Sequence, residues 1–144
     1  MGQRIINADG IVIGRMASLV AKMLLLGDKV TIVNAEKAVI SGRIRYTLAL
    51  YKQRSNIKTH TNPKWGPFFY RRPNLFVRRR IRGMLPWKYP RGKQAYRNLK
   101  VFMGIPKALN INESSMETFP EFSIKALKGP YIKVSQLSAE LGWE

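Results

Sequence analysis

Residues 4–35 read RIINADGIVIGRMASLVAKMLLLGDKVTIVNA, and the order of patterns within this stretch decides the fold. Arg4 to Ala8 is a short apolar run closed by the turn dipeptide Asp9-Gly10. From Met16 the apolar residues Met16, Leu19, Val20, Met23 and Leu24 recur at helical spacing, while Arg15, Ser18 and Lys22 fall on the opposite side. Gly27 stands where a helix commonly stops. Lys29 to Ala35 then supplies Val30, Ile32 and Val33 with little polar interruption, which suits a strand covered on both faces of a parallel sheet. Strand, helix and strand in this order make a βαβ-like unit of an α/β fold, and a right-handed crossover lays the helix over the sheet.

Working outward, 144 residues suffice for one domain with a real core and leave little room for a second. The expectation is a single domain over residues 1–144, with an apolar fraction of 45% that supports a folded body. No cysteine occurs, so disulfides, thiol catalysis and Cys-ligated zinc are excluded. The start resembles no signal peptide and no run of eighteen apolar residues exists, so a cytoplasmic, soluble protein is expected.

Charge is the strongest signal. The formal net charge is +18, from 26 Lys and Arg against 8 Asp and Glu. Outside residues 43–107 eight basic and eight acidic residues cancel; inside them lie 18 basic residues and no carboxylate. A merely solvated surface would intersperse both signs. A folded chain carrying this surplus repels itself, so a polyanion that neutralises it is implied, nucleic acid first and an anionic membrane second.

Within the basic region, Ile44, Leu48 and Tyr51 form an i, i+4, i+7 stripe flanked by Arg43, Arg45, Lys52 and Arg54, which predicts a basic amphipathic helix. Residues 55–73 have no period and carry Asn62-Pro63, Gly66-Pro67 and Arg72-Pro73, so an extended loop is expected there, with Lys58, Lys64, Trp65, Arg71 and Arg72 available to a partner. Pro73 opens a further helix with Val77, Ile81, Met84 and Leu85 facing inward and Arg78, Arg79, Arg80 and Arg82 facing out, ended by Pro86. Beyond Lys88, Arg91 and Gly92, the spacing of Ala95, Leu99 and Phe102 predicts another helix, with Lys93, Arg97 and Lys100 as its basic stripe. The tail from Ala108 is polar and acidic, then closes in a short helix from about Ser135 with Leu137 and Leu141 on one side, a face suited to capping the domain's own core or to docking a neighbouring protein.

Catalysis finds little support in these residues. Gly10 and Gly14 sit between strand and helix, but the spacing matches neither the dinucleotide fingerprint nor the triphosphate-binding loop. Helix N-terminal amides beside Arg15 suit one RNA phosphate instead. His60 is the lone histidine and scattered carboxylates offer no metal cluster, so no catalytic residue, metal or cofactor is expected. Aromatic residues interleaved with cations, Trp65, Phe68, Phe69, Tyr70, Arg71 and Arg72, then Trp87, Lys88, Tyr89 and Arg91, suit RNA, whose phosphates accept arginine forks and whose unpaired bases stack on rings.

The run Ile81-Arg82-Gly83-Met84-Leu85-Pro86, then Gly92-Lys93, Leu99-Lys100-Val101-Phe102 and Gly104, resembles the signature of the thirteenth universal large-subunit ribosomal protein family. Gly14-Arg15-Met16-Ala17-Ser18, Val33-Asn34-Ala35-Glu36 and Ser41-Gly42 agree independently, and together they span about residues 5–106. Asn62-Pro63, Gly66-Pro67-Phe68 and Ile105-Pro106 look like the archaeal and eukaryotic branch, and the chain's size looks archaeal. The resemblance implies a three-layer α/β/α body with a small parallel sheet and basic helical and loop extensions. It also implies a structural role in the large subunit: ribosomal RNA and neighbouring ribosomal proteins as partners, an early place in assembly, and Gly83 and Gly92 allowing close backbone approach, with Gly83 reading equally as a plain helix stop.

Overall fold

The computed structural model describes residues 2–107 and 116–143. The opening unit forms as expected. Strand β1 (Gln3–Asn7), helix α1 (Ile13–Leu25) and strand β2 (Lys29–Val33) follow in order, with β1 and β2 parallel from Gln3 against Lys29 to Asn7 against Val33. Four successive β2 residues, Val30 to Val33, are buried, which is why that run shows no polar alternation. Gly14, expected in the loop, lies in the first turn of α1, because Ile13 already faces the core and draws the helix start forward.

Three strands were not legible. Strand β3 (Val39–Ser41) pairs antiparallel with β5 (Tyr131–Lys133) in a separate two-stranded sheet, tying the chain's end to its first third. The predicted helix through Leu99 and Phe102 is corrected as well. Helix α4 spans Pro90–Arg97, and Leu99–Val101 is strand β4, parallel to β2 at the edge of a sheet ordered β1-β2-β4. Leu99 and Val101 are buried while Lys100 is exposed, a period of two hidden under an accidental helical spacing.

Helices α2 (Ile44–Asn56) and α3 (Pro73–Gly83) fall where the stripes put them, and α5 (Val134–Glu140) closes the chain with Val134 and Leu137 fully buried. The expected polar stretch over 108–115 lies outside the described residues. Helix α3 packs against α1, β4 and α5, placing Val77 and Ile81 in the core. Each such fully buried aliphatic side chain is worth about 1.5–3 kcal/mol. Phe76 and Leu85 are buried too, but Met84, expected inward, is 44% exposed, since α3 ends at Gly83 and the chain turns away.

Beyond the carboxyl edge of the sheet, three contacts fix the connections. Asn34 adopts left-handed φ 56° and its Nδ2 donates to Asn7 Oδ1 at 2.9 Å. The Ala35 amide donates to the Phe102 carbonyl at 3.1 Å, and the Gly104 amide donates to Glu36 Oε2 at 3.0 Å.

Gly92 permits a close approach, but to the chain itself. A Cβ there would lie 2.2 Å from the Pro86 carbonyl oxygen, so only glycine lets the start of α4 pack on the preceding turn. At Gly83 a Cβ would meet nothing within 4 Å. Accordingly, Gly92→Ala is expected to cost about 3 kcal/mol by overpacking against backbone. Gly83→Ala, in a helical position, is expected to be neutral or to stabilise by up to about 1 kcal/mol. Urea unfolding followed by circular dichroism checks both, and equal stabilities would show that the Pro86 contact yields cheaply.

Candidate nucleic-acid interface

Of the 18 cations between residues 43 and 107, only Lys52 enters an ion pair among the described residues, with Glu140 at 2.6 Å. The other ion pairs involve Arg4 with Asp28 and Glu117, and Lys37 with Asp9, all outside that region. The Lys52 contact ties α2 to α5, so this expected RNA ligand has a structural partner as well.

The remaining cations are distributed over every element of the middle. Helix α2 carries Arg45 and, half-buried, Arg54, with Arg43 just before its first turn. The segment between α2 and α3 carries Lys58, Lys64, Arg71 and Arg72, all exposed. Helix α4 and its approach present Lys88, Arg91, Lys93 and Arg97 to solvent, and β4 presents Lys100. The Arg91 guanidinium also reaches the Leu25 carbonyl at 3.4 Å, at the end of α1.

Helix α3 holds three of its four arginines on rings rather than on carboxylates. The Arg82 guanidinium lies 4.0 Å from the Trp87 ring centre, Trp87 meets Tyr96 edge-to-face at 5.2 Å, and Arg78 lies 4.7 Å from Tyr96. Arg80 sits over Tyr51 and Phe76 at 5.4 and 5.5 Å, and those rings meet each other edge-to-face. Arg80 as a whole is exposed, but partial desolvation beside these rings lowers its pKa from the ordinary guanidinium value. Arg78 Nε is buried without an acceptor. Only Arg79 is exposed and free of any ring contact.

The aromatic constellation therefore divides. Trp87 is half-buried and pins the turn before α4 to the body, whereas Trp65 is 83% exposed. The loop itself is built to present Trp65: Thr59 Oγ1 donates to the Asn62 carbonyl at 2.7 Å, Asn62 Oδ1 accepts from the Lys64 amide, and the Trp65 amide returns to Asn62. Phe68, Phe69, Tyr70 and Tyr89 are exposed as well. His60 is exposed, with no partner among the described residues.

Three surface depressions bring residues from distant parts of the sequence together, and Met84 borders all of them. One joins Arg54, Arg71, Arg79 and Arg80; a second joins Arg15 to Arg80; a third joins Lys22 to Arg91. Arg15, isolated in the sequence, thus shares a surface with α3. Lys22 and Met84, which line these depressions, were not among the expected site residues, because the helical pattern assigns one to a solvated face and the other to the core. Among the described residues no group of His, Asp and Glu could hold a metal ion, and no helix is long and apolar enough to cross a membrane.

A family model described as ribosomal protein L13 matches residues 3–108. Large ribosomal subunit protein uL13 of Methanococcus maripaludis is 42% identical, with 96% of each chain covered. Its counterpart in Saccharolobus solfataricus is 44% identical over 96% of this chain and 92% of its own. That of Methanosphaera stadtmanae is 48% identical over 76% and 78%. All three relatives are named as proteins of the large ribosomal subunit. With the match covering most of the chain and the relatives being archaeal, the chain belongs to the ribosomal protein L13 family, in its archaeal branch.

Proposed function

We propose that the chain is a structural constituent of the large ribosomal subunit that binds and bridges segments of ribosomal RNA, entering early in subunit assembly. It acts as a single domain over residues 1–144, with residues 43–107 as the RNA-binding region, and it touches neighbouring ribosomal proteins but neither a membrane nor a small-molecule substrate. The observation that carries this reading is the charge partition: 18 cations without an interspersed carboxylate, of which one is paired within the described residues. Phosphates repel one another when RNA segments approach, and cations placed on several faces lower that repulsion where segments meet. The gain is largest before the RNA has compacted, which favours an early place in assembly.

The roles divide by chemistry. Arg15, Arg43, Arg45, Lys58, Lys64, Arg71, Arg72, Arg79, Lys88, Arg91, Lys93, Arg97 and Lys100 are exposed and hold phosphates. Arg54, Arg78, Arg80 and Arg82 offer phosphates the edges of guanidinium planes whose faces rest on rings. Trp65 stacks on an unpaired base. Lys52 exchanges Glu140 for RNA at small cost, since exposed ion pairs contribute about 0–1 kcal/mol.

With roughly 6 to 10 phosphates neutralised, affinity for a large-subunit RNA fragment is expected to fall by about three to five orders of magnitude between about 50 and 200 mM salt. Titration at several salt concentrations measures this, and a flat response overturns the proposal.

Single reversals separate binding from folding. Arg79→Glu should weaken RNA binding and lower the salt slope by about one to two, with stability changed by no more than about 0.5 kcal/mol. Arg82→Glu should weaken binding similarly but also cost about 1 kcal/mol of stability, because it removes the contact with Trp87. Paired RNA titrations and thermal melts decide, and equal stability losses would deny the ring contact its role.

A further inference from the structure

The first of the three depressions is deeper than a phosphate contact requires. It is a cleft of about 480 Å³ lying between α2, α3 and the segment 67–71, a size within the range of sites that enclose small planar ligands. Its inner wall includes the buried rings of Tyr51 and Phe76, with the Arg80 guanidinium over both. Its outer wall includes Phe69 and Tyr70, each 43% exposed. No carboxylate lines it, while Arg71 and Arg79 lie at its border.

We propose that this cleft receives one unstacked nucleobase of a looped or single-stranded RNA segment, with the flanking phosphates on Arg71 and Arg79. The inference rests on the RNA-binding function proposed above and names one subsite within it. Rings contributed by α2, α3 and the segment 67–71, with a guanidinium plane among them, offer a base faces to stack on, and cations lining the same cleft match the phosphates on either side. An aliphatic guest would satisfy the rings and leave the arginines unmatched. Residues 67–71 make no hydrogen bond to the body through their backbone among the described residues, so this wall can close on a guest without breaking structure.

Gly83 lines the cleft, and a side chain added there meets nothing within 4 Å at its Cβ, so Gly83→Phe fills the space while α3 stays intact. The test titrates the full chain with a single-stranded oligoadenylate and with an abasic ribose-phosphate chain of equal length, each at several salt concentrations. Wild type should prefer the oligoadenylate by about 5- to 100-fold, the effect of stacking one base. Gly83→Phe should lose the cleft's share of that preference, leaving what Trp65 stacking supplies, and keep the salt slope. Phe69→Ala, at an exposed ring, should lose part of it, and serves if Gly83→Phe fails to fold by circular dichroism.

Equal wild-type affinity for the two chains, with a steep salt slope, overturns the base site while the RNA-binding reading stands; the cleft then suits an apolar side chain of a neighbouring protein. A preference retained undiminished in both folded variants assigns all the stacking to exposed rings such as Trp65 and also overturns it. Salt-independent or absent binding of both chains overturns the RNA-binding reading first.

Discussion

Helix α3 must satisfy two opposed demands on eleven residues. Its inner face, Phe76, Val77 and Ile81, closes the core against α1, β4 and α5, so the helix cannot leave without opening the molecule. Its outer face carries Arg78, Arg79, Arg80 and Arg82 with no carboxylate in reach, and like charges at i, i+4, as in Arg78 and Arg82, destabilise a helix by about 0.2–0.5 kcal/mol per pair. The conflict is relieved locally. Tyr96, Trp87, Tyr51 and Phe76 turn ring faces to three of the four guanidinium groups, and Arg80 and Arg82 sit in the last turn, where the helix dipole favours cations. Aromatic contacts take over the task that ion pairs perform elsewhere, and they leave the guanidinium edges unspent.

Connectivity supports the same division. The basic segment is an excursion between β3 and β4, and both ends are held by sheet: β3 by pairing with β5, and β4 by pairing with β2. The excursion contributes α3 to the core and returns through a turn that only Gly92 allows. Charge is therefore concentrated on a segment whose ends and middle are anchored, so its self-repulsion cannot be relieved by swinging the segment away from the body.

Where sequence periodicity coincided with burial on one face, the fold was legible. The βαβ-like opening and the inward positions Val77 and Ile81 needed no structural information, whereas the stripe of α2 located its helix but not its buried face, since Ile44 is exposed and Thr47 is buried. Strand β4 was not legible because three residues cannot establish a period, and Leu99 and Phe102 completed a helical spacing begun by Ala95. Strands β3 and β5 were missed for a different reason: their pairing spans most of the chain, and each is too short to announce itself. The basic interface was legible as composition but not as geometry. No local pattern says that Arg15 and Arg80 share a surface, or that Trp87 is spent on Arg82 while Trp65 is not.

The contrast between those two tryptophans bears on how affinity would be divided under the proposed function. Trp87, Tyr96 and the arginines on them are already ordered, so binding there gives up little conformational freedom. The segment from Lys58 to Arg71 is tied within itself around Asn62 but, among the described residues, makes no backbone hydrogen bond to the body, so an RNA that engages it must also hold it still. Immobilising such side chains costs about 0.5–1.5 kcal/mol each. Phosphate contacts on α3 and α4 would consequently supply most of the affinity, while the segment bearing Trp65 gains only from RNA that offers it bases to stack on. Selectivity for unpaired RNA over duplex then resides in the least anchored part of the chain, and the electrostatic grip resides in the best anchored.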